Sequence, residues 1–119
     1  MNIVFVCQRG ELELKACLLA WSLHQSAGKG INLFAAIPRH NDWDKLSPLT
    51  INLFTTLSVQ LCYFTPSFGE TYPIGNKIDA LGLLPPDEPG AFLDSDIICL
   101  GELDWQHRWE TADFLAKPA

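Results

Sequence analysis

Positive charge is scarce in this chain. Only 8 Lys and Arg stand against 14 Asp and Glu in 119 residues, a net charge of −6, and no basic run occurs. A nucleic-acid-binding surface needs a basic patch or stripe to meet phosphates, so that class is excluded. Long apolar runs are missing as well. No stretch reaches the ~20 residues that cross a bilayer, and Met1-Asn2-Ile3-Val4-Phe5-Val6 lacks the basic leader and long apolar core of a signal peptide. The expectation is a cytoplasmic chain with no membrane span. Cysteine is sparse and unpaired in sequence: Cys7, Cys17, Cys62 and Cys99 form no C-x-x-C. They read as small buried hydrophobes in a reducing compartment, not as a zinc site or a disulfide framework. Glycine signatures are lacking too. There is no G-x-G-x-x-G after the first strand, no Walker pattern and no Gly-x-Ser-x-Gly elbow, which removes dinucleotide, P-loop and triad-hydrolase readings.

What is present is apolar and patterned. With 48% hydrophobic and 18% charged residues, the chain reads as one globular domain spanning residues 1–119. Ile3 to Cys7 is an almost wholly apolar run, the mark of a central parallel strand. Gln8-Arg9-Gly10 breaks it, and a helix begins at Glu11 with Leu12, Ala16, Leu19 and Leu23 as its core-facing stripe. Leu14, Leu18 and Trp21 make a second stripe almost opposite, read either as ordinary surface hydrophobes or as a face that a partner chain or a missing part of the protein covers. Ala27-Gly28-Lys29-Gly30 stops the helix. Ile31 to Ile37 reads as the second strand, followed by the polar loop Pro38 to Asp42. Ser47-Pro48 is a helix N-cap with proline in the first turn, and Leu49, Leu53 and Leu57, with Phe54, continue that helix. Val59 to Phe64 is the third strand.

Thr65 to Pro73 reads as a loop, and a short helix then carries Ile74, Ile78 and Leu81 on its apolar face with Lys77 pointing elsewhere. Leu84 to Gly90 ends it, and a fourth strand is expected over Ala91 to Leu100. The order β-α-β-α-β-α-β implies an α/β fold, a mostly parallel sheet with helices on both faces.

Asp94 and Asp96 interrupt that fourth strand with Ser95 between them. In an extended chain both acids would face one spot, where two charges need compensation, and a divalent cation with oxygen ligands supplies it. The carboxyl ends of the strands in such sheets are where ligands bind. Those ends here are Cys7-Gln8-Arg9, Pro38-Arg39-His40, Phe64-Thr65 and the Asp-Ser-Asp segment. Lys77, on the helix leading into the acid strand, is placed to neutralise a diphosphate. Among the histidines, His24 reads as solvated on its helix, His40 lies in a strand-end loop within reach of a ligand, and His107 sits between Trp105 and Trp109.

The segment Tyr72-Pro73-Ile74-Gly75-Asn76-Lys77-Ile78-Asp79-Ala80-Leu81, followed by Phe92-Leu93-Asp94-Ser95-Asp96, resembles the donor half of GT-A-fold glycosyltransferases that use nucleotide-diphosphate sugars. It is most similar to the glycogenin-like and galactosyltransferase-like families. They also open with a strand such as Ile3 to Val6 and place a basic residue about seventeen positions before an Asp-x-Asp. The resemblance implies a three-layer nucleotide-diphospho-sugar transferase fold. It also implies Mn²⁺ or Mg²⁺ on Asp96 and Asp94, with Asp94 contacting either the ribose or the metal. Lys77 would approach the phosphates, and Cys7, Gln8 and Arg9 would lie near the base and ribose. The donor would be a nucleotide sugar, in these families a UDP-sugar, and the acceptor is unspecified. Enzymes of this kind continue well beyond the acid pair, so the chain is expected to be their donor-binding N-terminal half.

Two other readings compete. One is a non-catalytic module with the same fold that dimerises through Leu14, Leu18 and Trp21. The other is a phosphatase-like Asp-x-Asp enzyme of haloacid-dehalogenase type. In that family the motif follows the first strand and continues into Gly or Thr, whereas here it follows the fourth and continues Ile97-Ile98.

Overall fold

The apolar run at the start of the chain forms strand β1 (Asn2–Val6), in which every residue is buried. Among the described residues β1 lies inside a four-stranded, all-parallel sheet of order β3-β2-β1-β4, with β2 Asn32–Pro38, β3 Gln60–Phe64 and β4 Gly90–Phe92. The computed structural model describes residues 1–26, 30–67 and 75–101.

Alternation along β1 and β2 builds two cores. Ile3, Phe5, Leu33, Ala35 and Ile37 face helices α1 (Glu11–Ser26) and α2 (Pro48–Thr56), packing with Ala16, Leu19, Leu23 and Phe54. Val4, Val6, Phe34 and Ala36 face the opposite side, where Ala80 of α3 (Gly75–Leu81) covers them. A strand covered on both faces has no solvent side, which is why β1 reads as continuously hydrophobic. The result is the expected α/β fold in three layers, consistent with a nucleotide-sugar transferase-like architecture. Among the described residues, no helix is long and apolar enough to cross a membrane.

Local chemistry sets the helix starts. Gly10, at φ 110°, turns the chain from β1 into α1 in a conformation that a side chain disfavours. Ser47 caps α2, its Oγ accepting the Leu49 amide at 3.1 Å, and Pro48 occupies the first turn. Glu13 of α1 adds a tertiary brace, its carboxylate accepting the Ser47 amide at 2.9 Å and the Thr50 hydroxyl at 2.5 Å.

Three expectations are corrected. On α2, Leu49 is exposed, while Thr50 and Phe54 are the buried residues. The Glu13 brace holds Thr50 inward, and Leu49 is carried to the outside of the same turn. On α3, Ile78 and Leu81 face outward, and Gly75, Asn76 and Ala80 face the sheet. That rotation brings Lys77 to Asp94 and lets the small Ala80 approach the strands. Residues three apart share a helix side, so Ile78 and Leu81 are turned away together.

The fourth strand is the largest correction. β4 stops at Phe92, after pairing Gly90 to Phe92 with Asn2 to Val4, and the chain then turns, with the Ile97 amide donating to the Asp94 carbonyl at 3.1 Å. Phe92 belongs to the core beneath α3. A straight continuation would send Asp94 and Asp96 to that same apolar layer, at a cost of several kcal/mol per charge. Turning leaves Asp96 in water.

The Ala27-Gly28-Lys29 stop, most of the Thr65–Pro73 loop, Ile74 and the Trp105–Trp109 segment with His107 lie outside the described residues. The outer row of α1 behaves as expected, with Leu14, Leu18 and Trp21 exposed at 65%, 48% and 53%. Beside it, Leu14, Cys17, Leu49 and Leu53 line a groove of about 340 Å³ between α1 and α2.

Candidate functional site

The carboxyl edge of the sheet gathers the ends of all four strands. The Cys7 amide donates to the Ala36 carbonyl at 2.9 Å, and that of Arg39 to the Phe64 carbonyl at 2.7 Å. The Arg9 amide reaches the Trp43 carbonyl at 2.8 Å, tying the exit loop of β1 to that of β2. At the other end of the edge the Leu93 amide reaches the Val4 carbonyl at 3.0 Å, the last backbone rung between β1 and the acid segment.

Around the exit of β1 five polar side chains from distant parts of the chain come together. Lys77 Nζ lies 2.7 Å from Asp94 Oδ2, with each side chain a little under half exposed. The ammonium also sits 6.0 Å from the centre of the Phe92 ring. Asn76, almost completely buried, donates through Nδ2 to Gln8 Oε1 at 3.4 Å, joining the first turn of α3 to the end of β1. Ser95, likewise buried, donates its hydroxyl to the Val6 carbonyl.

The structure therefore brings Gln8, Lys77 and Asp94 into one region and leaves Asp96 exposed on the adjoining turn. Arg9 is exposed, its backbone anchored to the Trp43 carbonyl in the loop after β2. Cys7 is different. Its side chain is fully buried in the core beneath α1. Burial pushes its thiol far above the ordinary range, with Cys17 and Glu13 nearby as smaller contributors. What Cys7 presents to the edge is backbone. His40, in the loop after β2, packs edge-on against Trp43 at 5.2 Å between ring centres, and His24 is exposed on α1.

Two members of the cluster were not singled out in the sequence. Asn76 lies inside the Lys77 segment, but nothing in its type or spacing separates it from a solvated helix residue. Ser95 carries a faint signal. It is the neutral residue between two acids, and the one that an alternating strand turns the opposite way.

No three of the His, Cys, Asp and Glu side chains among the described residues gather around one point. The described residues by themselves do not build a complete metal cage. Asp94, already paired with Lys77, and Asp96, exposed two residues on, are oxygen donors of the kind a hard divalent ion takes when it keeps waters and draws its remaining ligands from substrate phosphates. The donor set fits Mg²⁺ or Mn²⁺ on those terms.

A family model described as Rhodobacterales glycosyltransferase domain matches residues 3–119, which includes all four strands, the lysine helix and the acid turn. The chain belongs to this glycosyltransferase domain family. No curated protein and no solved structure gave a significant match. A glycosyltransferase-like function is the coarse assignment, and in this glycosyltransferase domain the Lys77–Asp94 cluster occupies the edge where parallel sheets of this kind bind ligands.

Proposed function

We propose that this domain is the donor-binding part of a GT-A-type, Asp-x-Asp glycosyltransferase that takes a nucleotide-diphosphate sugar, in this reading a UDP-sugar, and passes the sugar to an acceptor. The observation that carries the reading is the Lys77–Asp94 pair on the carboxyl edge, with Asp96 beside it on an open turn. An acidic domain of net charge −6 repels a diphosphate unless positive charge is concentrated at the site. Lys77 supplies one such charge, at Asp94. When bound, Mn²⁺ or Mg²⁺ supplies Lewis acidity toward the diphosphate leaving group.

The chain's own residues divide the remaining work. Asp96 would hold the cation, and Asp94 would contact either the cation or the ribose. Lys77 donates to phosphate oxygens and holds them by charge, which favours the departing diphosphate as negative charge develops on it. Gln8, Arg9 and the Cys7 backbone border the space for base and ribose, with Gln8 steadied by Asn76.

Calorimetric titration of UDP with and without Mn²⁺, on the wild type and on Asp96→Ala, tests the proposal. Binding is expected to require manganese and to weaken about tenfold or more in the variant. Wild-type protein that binds no UDP in the presence of manganese overturns it.

A second reading concerns the outer face of α1. There Leu14, Leu18 and Trp21 make a continuous exposed apolar row, and Leu49 borders the adjoining groove. We propose a second copy of the chain as the partner for this face. In the non-catalytic version of this reading the fold serves only as a dimerising module.

A further inference from the structure

We infer that Ser95 is a positioning residue whose hydroxyl replaces the last backbone rung of the sheet, so that the chain can turn there, with Asp94 meeting Lys77 and Asp96 left in solvent. The register carries the argument. β1 and β4 pair Asn2 with Gly90, Ile3 with Ala91 and Val4 with Phe92, and the Leu93 amide donates to the Val4 carbonyl. In a parallel ladder the next donor comes two residues on, so a continued strand would bring the backbone amide of residue 95 to the Val6 carbonyl. The strand does not continue. The Val6 carbonyl, at the buried end of β1, is met by the Ser95 hydroxyl instead.

That substitution of side chain for backbone resolves a conflict. A buried carbonyl without a partner costs free energy comparable to a lost hydrogen bond, which favours extending the strand. Extension would carry Asp94 and Asp96 toward the apolar layer beneath α3, which opposes it. A hydroxyl at residue 95 satisfies the carbonyl while freeing the backbone to bend. The bend is closed by the Ile97 amide on the Asp94 carbonyl, and Asp94 then meets Lys77. Ser95 is only 3% exposed, so it is not available to touch a ligand and acts through its neighbours. An alanine there leaves two outcomes, an unpaired Val6 carbonyl or a straightened chain, and both loosen the acid turn.

The identity of the ligand rests on the donor-site reading above, while the geometric inference does not. Ser95→Ala, Ser95→Thr and a stability control, Thr50→Ala, are compared with the wild type. Thr50 sits on α2 against Glu13, away from the acid turn. Two readouts are taken well below the unfolding transition, namely amide hydrogen exchange at Ile97 and the affinity for UDP in the presence of Mn²⁺. Ser95→Ala is expected to speed exchange at Ile97 about fivefold or more and to weaken manganese-dependent UDP binding about tenfold or more. Ser95→Thr, which keeps the hydroxyl, is expected to restore both, and Thr50→Ala to alter neither beyond its effect on global stability. Wild-type exchange at Ile97 in Ser95→Ala, or equal losses in Ser95→Ala and Thr50→Ala, overturns the inference. Absence of UDP binding in the wild type overturns the donor reading alone, and exchange at Ile97 then decides the role of Ser95.

Discussion

Lys77 and Asp94, seventeen residues apart in sequence, meet at 2.7 Å on the carboxyl edge of the sheet, one from α3 and one from the turn after β4. Both side chains are nearly half exposed. An ion pair in that setting contributes only about 0–1 kcal/mol to folding. In the proposed donor site its position, where the parallel strands end, serves a ligand rather than stability.

Replacing Lys77 with Met should therefore separate binding from folding. The unfolding free energy is expected to change by less than about 1 kcal/mol. Manganese-dependent UDP affinity should fall roughly tenfold or more, the usual scale for a lost hydrogen bond to a charged group. Urea denaturation and calorimetry on the same preparation check the two halves. A large loss of stability with unchanged binding would assign the lysine to the fold.

Phe54 is the opposite case. It is fully buried between α2 and the sheet, with its ring edge-on to Phe5 at 6.0 Å. Phe54→Ala should cost about 3–5 kcal/mol through lost burial and the cavity left behind. That is a large share of the roughly 6–18 kcal/mol available to a chain of this size. Chemical denaturation measures the loss directly.

Alkaline pH should destabilise the protein through its thiols. The Cys7 pKa is raised from its ordinary 9.0 mainly by burial, and those of Cys17 and Cys62 are raised for the same leading reason. Above pH 9 the unfolded chain releases these protons while the folded chain keeps them, so the unfolded state binds fewer. Stability is then fully present below pH 9 and declines as pH rises beyond it, with a limiting slope of ~1.4 kcal/mol per pH unit for each proton so held. Cys7→Ala should flatten that slope in denaturation curves taken from pH 8 upward, a range chosen to span the ordinary thiol value of 9.0.

Trp21 tests the outer face of α1. It is 53% exposed beside Leu14 and Leu18, so Trp21→Glu should leave the intrinsic stability of the single chain nearly unchanged. If a second copy covers this face, light scattering should show the wild type as a dimer and the variant as a monomer. A wild type that is already monomeric removes the dimer reading.

Much of the architecture was legible because burial on both faces leaves an unmistakable mark. Ile3 to Cys7 had to be a central strand, the two stripes of α1 were set by their spacing, and Ser47-Pro48 announced α2. These are local patterns, and local geometry answers to them. The rotation of α3 was not legible. Ile78 and Leu81 look like a core stripe, and only the competing contacts of Asn76, Lys77 and Ala80 turn them outward.

By itself the sequence determined the α/β order, the parallel sheet and the candidate role of Lys77, Asp94 and Asp96, because periodicity and residue type are properties of the chain. Only the tertiary structure decided what the acid segment is. Read alone, Ala91 to Leu100 is a buried strand. Beside β1 only Ala91 and Phe92 of it are strand, and a turn follows, pinned by Ser95 on the Val6 carbonyl and balanced by Lys77 on Asp94. The reason is that the segment's conformation depends on partners far away in sequence. A carbonyl eighty-nine residues earlier and an ammonium seventeen residues earlier determine where two charges can be placed without entering the core.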